Sequence, residues 1–444
     1  MSSVSSGELD SDYKDFTGEI FNNRYVIIYK IGEGGFSTVW LSYDKKDKQF
    51  YAIKVLNGDF IESGDLEIEI IKKLLILPYK KSKYFQLYKE TFIETYDEQK
   101  HICIVNDLMC GSLDDIMKAK KYNKGFDLQT IIKIIKNLLE SLDILNNTGY
   151  IHTDIKPDNI LLKGQTKQTE KIINQFLLLL KNYKKKINYK NVVEQTLLKL
   201  SLNESDSEDE IDTVSETESN SDSDDSNSDS NSDSNSGSNS DSNSDSGSDS
   251  DNKTIEDSIS NSHKSSRSIN SIYIKKNITK LTDFGTSIKN SKTQGLEIQT
   301  RYYRSPEVIL GYYTTSNCDL WSVGCTLYEL LTNKLLFDPL KTDQITRDQY
   351  HIYMIISLFG KIPDKMLLNS KFTKNYFTKN NTLKCFKSIE YIDFSKKIYD
   401  NLKNKNISKE QIKIITEFLK LLLVIEPEKR LSYNKLLKHK FFSL

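Results

Sequence analysis

The sequence predicts an α+β protein, with strands crowded into the first hundred residues, helices in the remainder, and one long insertion dividing the helical part. Three observations carry this expectation. Short apolar runs bounded by turn residues, at Tyr25–Gly32, after Glu33–Trp40, at Phe50–Leu56 and at His101–Asn106, read as strands. Apolar residues recur at i, i+3 and i+4 over Leu66–Leu75 and Leu128–Asn146, the helical period. Between these periodic segments and a final apolar third, residues 164 to about 277 change character: first lysines alternating with apolar clusters, then Ser-Asp-Asn repeats.

The bulk charge hides an asymmetry. Of 444 residues, 62 are Lys or Arg and 62 are Asp or Glu, so the formal net charge is zero. Seventeen of those acids lie within Glu204–Asp251, which contains no Lys or Arg, leaving the rest of the chain with an excess of seventeen positive charges. A basic surface suits anionic ligands. The Lys, Asn, Ile and Tyr abundance is a general compositional bias, however, and the basic residues do not interleave with aromatics as a nucleic-acid module requires, so no direct nucleic-acid binding is expected. Five cysteines (Cys103, Cys110, Cys318, Cys325, Cys385) show no metal-binding spacing and read as reduced thiols. Without a signal-like N-terminus or a membrane-length apolar run, the expected setting is intracellular: cytoplasmic, compatible with nuclear access, with no membrane partner and a monomer as the default.

In chain order, residues 1–20 are small, polar and acidic and read as a disordered tail. Residues 21–106 form the strand-rich part. Its first turn, Ile31-Gly32-Glu33-Gly34-Gly35-Phe36-Ser37, can bring bare backbone N–H groups close to phosphates, with Val39 beyond it; Ser37 stands where a third glycine would be usual. Phe50–Leu56 carries Ala52 and a Lys54 set among apolar neighbours. Glu67 shares a helical face with Ile70, Ile71 and Leu74, and is the expected partner of Lys54; Glu69 falls with Lys72 and Lys73 on what reads as a solvated face. Residues 107–111 form a Gly-containing connector after Asn106, a polar residue in an otherwise apolar strand.

Residues 112–163 lead to Tyr150-Ile-His-Thr-Asp-Ile-Lys-Pro-Asp-Asn-Ile-Leu-Leu162, where His152, Asp154, Lys156 and Asn159 stand inside apolar flanks. Asp-x-Lys-x-x-Asn is the spacing phosphoryl transfer asks for: a carboxylate to accept a hydroxyl proton, a Lys for the moving phosphate, an Asn for a metal. Within the insertion, about 166–200 reads as one or two amphipathic helices and about 203–270 as acidic and disordered. The last part, 278–444, opens with Thr-Asp283-Phe284-Gly285 after an apolar strand. It continues through Gln299-Thr300-Arg-Tyr-Tyr-Arg-Ser-Pro-Glu307, a helix starting near Asp319, and Arg430 as a buried partner for Glu307.

This ordered set, Gly32/Gly34, Lys54, Glu67, His-Thr-Asp154, Asn159, Asp283-Phe-Gly, Ser-Pro-Glu307 and Arg430, resembles the eukaryotic Ser/Thr protein-kinase family. Phe-Asn-Asn-Arg-Tyr25, Gly-Phe-Ser-Thr-Val-Trp-Leu41, His-Thr-Asp-Ile-Lys-Pro157, Thr346-Arg-Asp-Gln-Tyr-His351 and the long insertion resemble most closely the kinases of serine/arginine-rich splicing factors. The resemblance implies a bilobal fold, β-rich then helical, with ATP and Mg²⁺ between the lobes. It implies Asp154 as base, Lys156 at the γ-phosphate, Asn159 and Asp283 as metal ligands, and Lys54 paired with Glu67. The backbone of Asp107 and Met109 and the side chain of Leu161 would complete the ATP site, with Asn106 at its back. His152, Phe284, Gly285, Thr300, Glu307, Asp319 and Arg430 would be supports. Protein substrates rich in Arg and Ser are implied, although Gln349 and Tyr350 follow Asp348 where more acid would suit an Arg-binding groove. A kinase for another basic or proline-adjacent target is the alternative, and a pseudokinase scaffold is disfavoured because every catalytic group is present. Thr153, in place of the Arg that binds an activation-segment phosphate, predicts activity independent of such phosphorylation.

Overall fold

A computed structural model describes residues 14–118, 126–183, 187–205 and 279–444. The strand-rich part is one six-stranded antiparallel sheet: β1 (Ile20–Phe21), β2 (Tyr25–Gly34), β3 (Ser37–Asp44), β4 (Phe50–Leu56), β5 (Tyr88–Tyr96) and β6 (Gln99–Asn106), in the order β1-β2-β3-β4-β6-β5. Alternation gives each strand two apolar faces. Tyr25, Ile27, Trp40, Ile53, Val55, Cys103 and Val105 make one buried layer. On the other face lie Val26, Ile28, Leu41, Tyr43 and Ala52.

Helix α1 (Ile61–Leu75) buries Gly64, Glu67, Ile70, Ile71 and Leu74, a single stripe at helical spacing. A Cβ on Gly64 would stand 3.0 Å from both Ile102 Cδ1 and Leu56 Cδ2, so the absent side chain sets how closely α1 approaches the sheet. After a short helix α2 (Tyr79–Ser82), the connector enters β7 (Met109–Ser112) and α3 (Leu113–Met117).

In the helical part, α4 (Leu128–Asn147) starts where Asp127 caps the Thr130 amide, and it buries Ile131, Ile134, Ile135, Leu138, Leu142 and Leu145. It leads into β8 (Tyr150–Ile151) and then β9 (Ile160–Lys163). β9 pairs with β7 on one side and β10 (Thr279–Leu281) on the other, and β8 pairs with β11 (Ile288–Lys289). β12 (Thr293–Gln294), α7 (Pro306–Leu310), β13 (Tyr313–Thr314), α8 (Asn317–Thr332) and α9 (Arg347–Phe359) follow. Nearly all of α8 is buried, including Trp321, which makes it the axis of this core.

One expectation changes, and another, the helices read over about 166–200, is met. The disordered tail expected through residue 20 does not reach that far. Phe16 is buried, edge-on to Phe21, Trp40, Tyr96 and His101 at 5.1–5.7 Å, because the outer sheet layer has an aromatic hollow to fill. The start of the insertion is also integral to the fold. Helices α5 (Lys167–Lys181) and α6 (Tyr189–Ser205) put Ile172, Ile173, Phe176, Val192 and Val193 against Val26, Ile28, Leu41 and Tyr43 of the sheet. Residues 206–278, which hold most of the acidic stretch read as disordered, lie outside the described residues. Among the described residues, no helix is long and apolar enough to cross a membrane.

Candidate active site

β8 delivers its chain into the loop that carries Asp154, and the loop's backbone is held from below. Asp319 accepts the amides of His152 and Thr153, one on each carboxylate oxygen, both at 3.0 Å. Burial pushes the Asp319 carboxyl up to about 7, against those two bonds, which favour the ionised form. His152 is enclosed; its Nε2–H donates to Thr282 O at 3.0 Å while Nδ1 accepts the Asp154 amide at 3.2 Å, which fixes the neutral tautomer. Burial also lowers the His152 pKa. Thr153 has φ 68° and donates its hydroxyl to Thr286 O at 2.8 Å, pinning the chain just beyond Asp283.

Above this platform the polar groups converge. Asp154 accepts Thr300 Oγ1 at 2.6 Å on one oxygen, and Asn159 Nδ2 at 2.9 Å and Lys156 Nζ at 2.9 Å on the other. Lys156 also donates to Thr300 Oγ1 at 3.1 Å. Thr300 is placed by Gln299, which has φ 67° and is buried. The Gln299 amide bonds Cys318 O, Ser322 Oγ and both the amide and hydroxyl of Ser305 at 2.9–3.0 Å. The sequence singles out Gln299 only as the start of the segment running to Glu307; a buried amide saturated by four partners has no signature in the sequence.

Across the cleft, Lys54 Nζ lies 2.7 Å from Glu67 and 2.9 Å from Asp283. Burial works against the ammonium, but Asp283 and Glu67 outweigh it and hold Lys54 above the usual lysine range. Lys54 in turn lowers the Asp283 pKa despite burial. Asp283 takes φ 64°, Phe284 is enclosed between Phe85 and His152, and Gly285 sits where a Cβ would fall 2.3 Å from Ser63 Oγ of α1. Ser63 donates to Gly285 O at 2.9 Å.

The glycine turn joins β2 to β3 with Gly34 opposite Ser37 and Gly32 opposite Val39. A Cβ on Gly35 would meet nothing within 4 Å, so the space over the turn is open to a ligand. Phe36 at its tip packs edge-on against Phe60 at 4.6 Å, and Glu33 pairs with Lys30 at 2.5 Å. Ala52 is the cross-strand partner of Asn106, which places Asn106 on the cleft face of the sheet. Its Nδ2 reaches Ile104 O at 3.4 Å, and its buried Oδ1 is without a hydrogen-bond partner. In the connector, Asp107 O accepts Gln86 Nε2 at 3.0 Å while its carboxylate faces Lys89 at 3.7 Å; Met109 opposes Lys163, and Leu161 opposes Ser112.

Glu307 and Arg430 form a fully enclosed pair, two parallel bonds at 2.5 and 2.7 Å, and Arg430 also donates to Asn317 O at 2.7 Å, two residues before Asp319. Glu69 lies on the exposed face with Lys72 and Lys73, as read, and there it also accepts the Tyr150 hydroxyl at 2.6 Å. Asp348 is engaged within the chain by Arg301 and by Tyr376 Oη at 3.2 Å.

A lysine between two carboxylates, facing a third carboxylate flanked by Lys and Asn below a glycine turn, is the equipment of a phosphoryl-transfer enzyme. The sequence profile described as protein kinase domain matches residues 25–193 and 268–442, and the chain belongs to that family. A chain from Acanthamoeba polyphaga mimivirus is 28% identical over 97% of this chain and 89% of its own length. The serine/threonine-protein kinase SRPK of Physarum polycephalum is 27% identical over 96% and 87%, and the SRSF protein kinase 3 of Mus musculus 25% identical over 95% and 87%. The crystal structure of the PF14_0431 kinase domain shares the fold, with TM-score 0.60 at 22% identity, covering 97% of this chain and 98% of that one. The chain is a protein serine/threonine kinase, similar to SRPK and SRSF protein kinase 3, and as such acts on protein with ATP and a divalent metal.

Proposed function

We propose that this kinase phosphorylates serine or threonine in Arg- and Ser-rich proteins, with Asp154 as the base and Mg²⁺ as the metal. The observation that carries the reading is the convergence of Thr300, Lys156 and Asn159 on the Asp154 carboxylate within 3.1 Å, opposite a Lys54 bridged to Asp283. In this scheme Asp154 orients the acceptor hydroxyl and takes its proton as the new O–P bond forms. Lys156 neutralises charge on the transferring group, and Lys54, steadied by Glu67, binds the phosphates farther from it. Adenine would bond the backbone of Asp107 and Met109 beneath Ala52, Ile31 and Val39, above Leu161.

Asp283 and the Asn159 amide oxygen suit Mg²⁺, which is usually held by one or two carboxylates plus substrate phosphates. When bound, the metal offsets phosphate charge. His152, Phe284, Gly285, Asp319, Glu307 and Arg430 act as supports. The protein is read as a cytoplasmic monomer with nuclear access.

One observation favours a second reading. Arg301 and Tyr376 already occupy Asp348, the acid expected to meet substrate arginines, so a kinase for another basic or proline-adjacent target stays in play. Transfer from labelled ATP to Arg/Ser-repeat, proline-adjacent and acidic peptides decides between them, with Asp154→Asn and Lys54→Met as controls. Preference for the Arg/Ser peptide, lost in both variants, is expected. Preference for another peptide replaces the substrate assignment, and undiminished transfer in Asp154→Asn removes Asp154 as base.

A further inference from the structure

Helix α1 is joined to the loop bearing Asp154 by a bridge outside the cleft. The Tyr150 ring is buried, and its hydroxyl emerges between two side chains of α1. It donates to Glu69 Oε1 at 2.6 Å and accepts from Lys73 Nζ at 2.7 Å. Lys73 closes the triangle, 3.2 Å from Glu69 Oε1 and 4.6 Å from the Tyr150 ring centroid. Directly opposite Tyr150 in the β8–β11 pair stands Lys289, whose charge also acts on Glu69. Helix, catalytic loop and the segment after Asp283 therefore meet at one phenol.

Glu69 lies two residues beyond Glu67, and 200° of helical turn puts it on nearly the opposite side of α1. The helix is thus gripped twice, by Lys54 through Glu67 from within the cleft and by Tyr150 through Glu69 from behind. An exposed Glu–Lys pair alone would hold little in water. The phenol changes this, because its ring is locked in the core and its hydroxyl has no rotamer freedom left to lose. Thr153, bonded to Thr286 O, has no cation with which a phosphate could brace the same elements.

We infer that Tyr150 is a positioning residue: by holding Glu69 and Lys73 it keeps α1 where Glu67 reaches Lys54, with the Asp154 loop fixed to the same bridge. The inference rests on reading Lys54 as the phosphate-binding lysine.

A double-mutant cycle in the full chain tests it. Tyr150→Phe keeps the ring and removes the hydroxyl; kcat should fall about fivefold, with peptide KM and melting temperature little changed. In a Glu67→Gln background the same substitution should have no further effect, because the bridge acts through Glu67. Glu69→Gln, which keeps an acceptor, should retain more rate than Glu69→Ala. Equal losses from Tyr150→Phe in both backgrounds, an unchanged kcat, or equal rates for the two Glu69 variants would overturn the inference. If Glu67→Gln and Lys54→Met both turn over like the parent, the reading of the cleft itself fails, and this inference fails with it.

Discussion

Two buried ion clusters in this molecule look alike in composition and differ in closure. Arg430 and Glu307 are fully enclosed; two parallel bonds join them, and the three remaining guanidinium hydrogens go to Asn317 O, Val424 O and Ile425 O at 2.7, 2.8 and 3.4 Å. One positive charge meets one negative charge, and nothing is left to bind. Lys54, by contrast, faces two carboxylates, Glu67 and Asp283, and Asp283 keeps a third of its side chain exposed. The surplus negative charge is open to the cleft. A closed pair fixes a fold, whereas an unbalanced, half-open cluster is prepared for a ligand that completes its charge.

Breaking the open side gives the largest effects. Asp154→Asn, which keeps the shape and removes the proposed base, should cut kcat by about 10²–10⁴-fold without lowering the melting temperature. Lys54→Met should cost about 10²–10³-fold in kcat, measured at saturating peptide, by removing a fixed charge from the cleft. Breaking the closed side should show in stability instead. Glu307→Gln leaves Arg430 enclosed without its counter-charge and should lower unfolding free energy by about 3–5 kcal/mol, read by denaturant melts.

A third kind of buried ionisable group sharpens the contrast. His351 is fully enclosed against Phe337 at 5.0 Å, neither ring nitrogen has a partner, and burial pushes its pKa down to about 3 from 6.5, with Arg301 and Arg304 adding to the shift and Asp348 opposing it. Between those two values the unfolded chain binds a proton at His351 that the folded chain refuses, so this group's contribution to stability falls as pH drops through that window, while the raised carboxyls of Asp319 and Glu329 contribute with the opposite sign. The slope should approach about 1.4 kcal/mol per pH unit. His351→Leu removes that contribution, so between pH 6.5 and 5 the variant should lose less melting temperature than the parent, measured at matched pH. The smallest expected effect is none: phosphatase treatment should leave the rate unchanged, because the Thr153 hydroxyl is spent on Thr286 O.

Much of the site was legible because its parts are local. Asp154, Lys156 and Asn159 lie within one turn of chain, and their mutual contacts follow from that spacing. Choosing Glu67 over Glu69 as the partner of Lys54 needed only helical periodicity, and Glu67 is the one that reaches it. What escaped is non-local. Phe16, in a segment read as tail, is drawn in by aromatic rings from four separate places along the chain. Glu69 gains Tyr150 as a partner across 81 positions of sequence, and Gln299 saturates its amide inside a core that no local pattern describes.

By itself the sequence determined the chemistry, since residue types and short spacings fix which groups can take a proton, hold a phosphate or ligate a metal. Tertiary structure alone decided how those groups are held: the Gln299 amide that seats Ser305 and Ser322 beside Thr300, the insertion helices that cover Val26 and Leu41, the engagement of Asp348, and the phenol that binds α1 to the Asp154 loop. The physical reason is range. Side-chain chemistry and helical period act over a few residues, whereas burial and charge pairing depend on which distant surfaces the folded chain brings within a few ångströms.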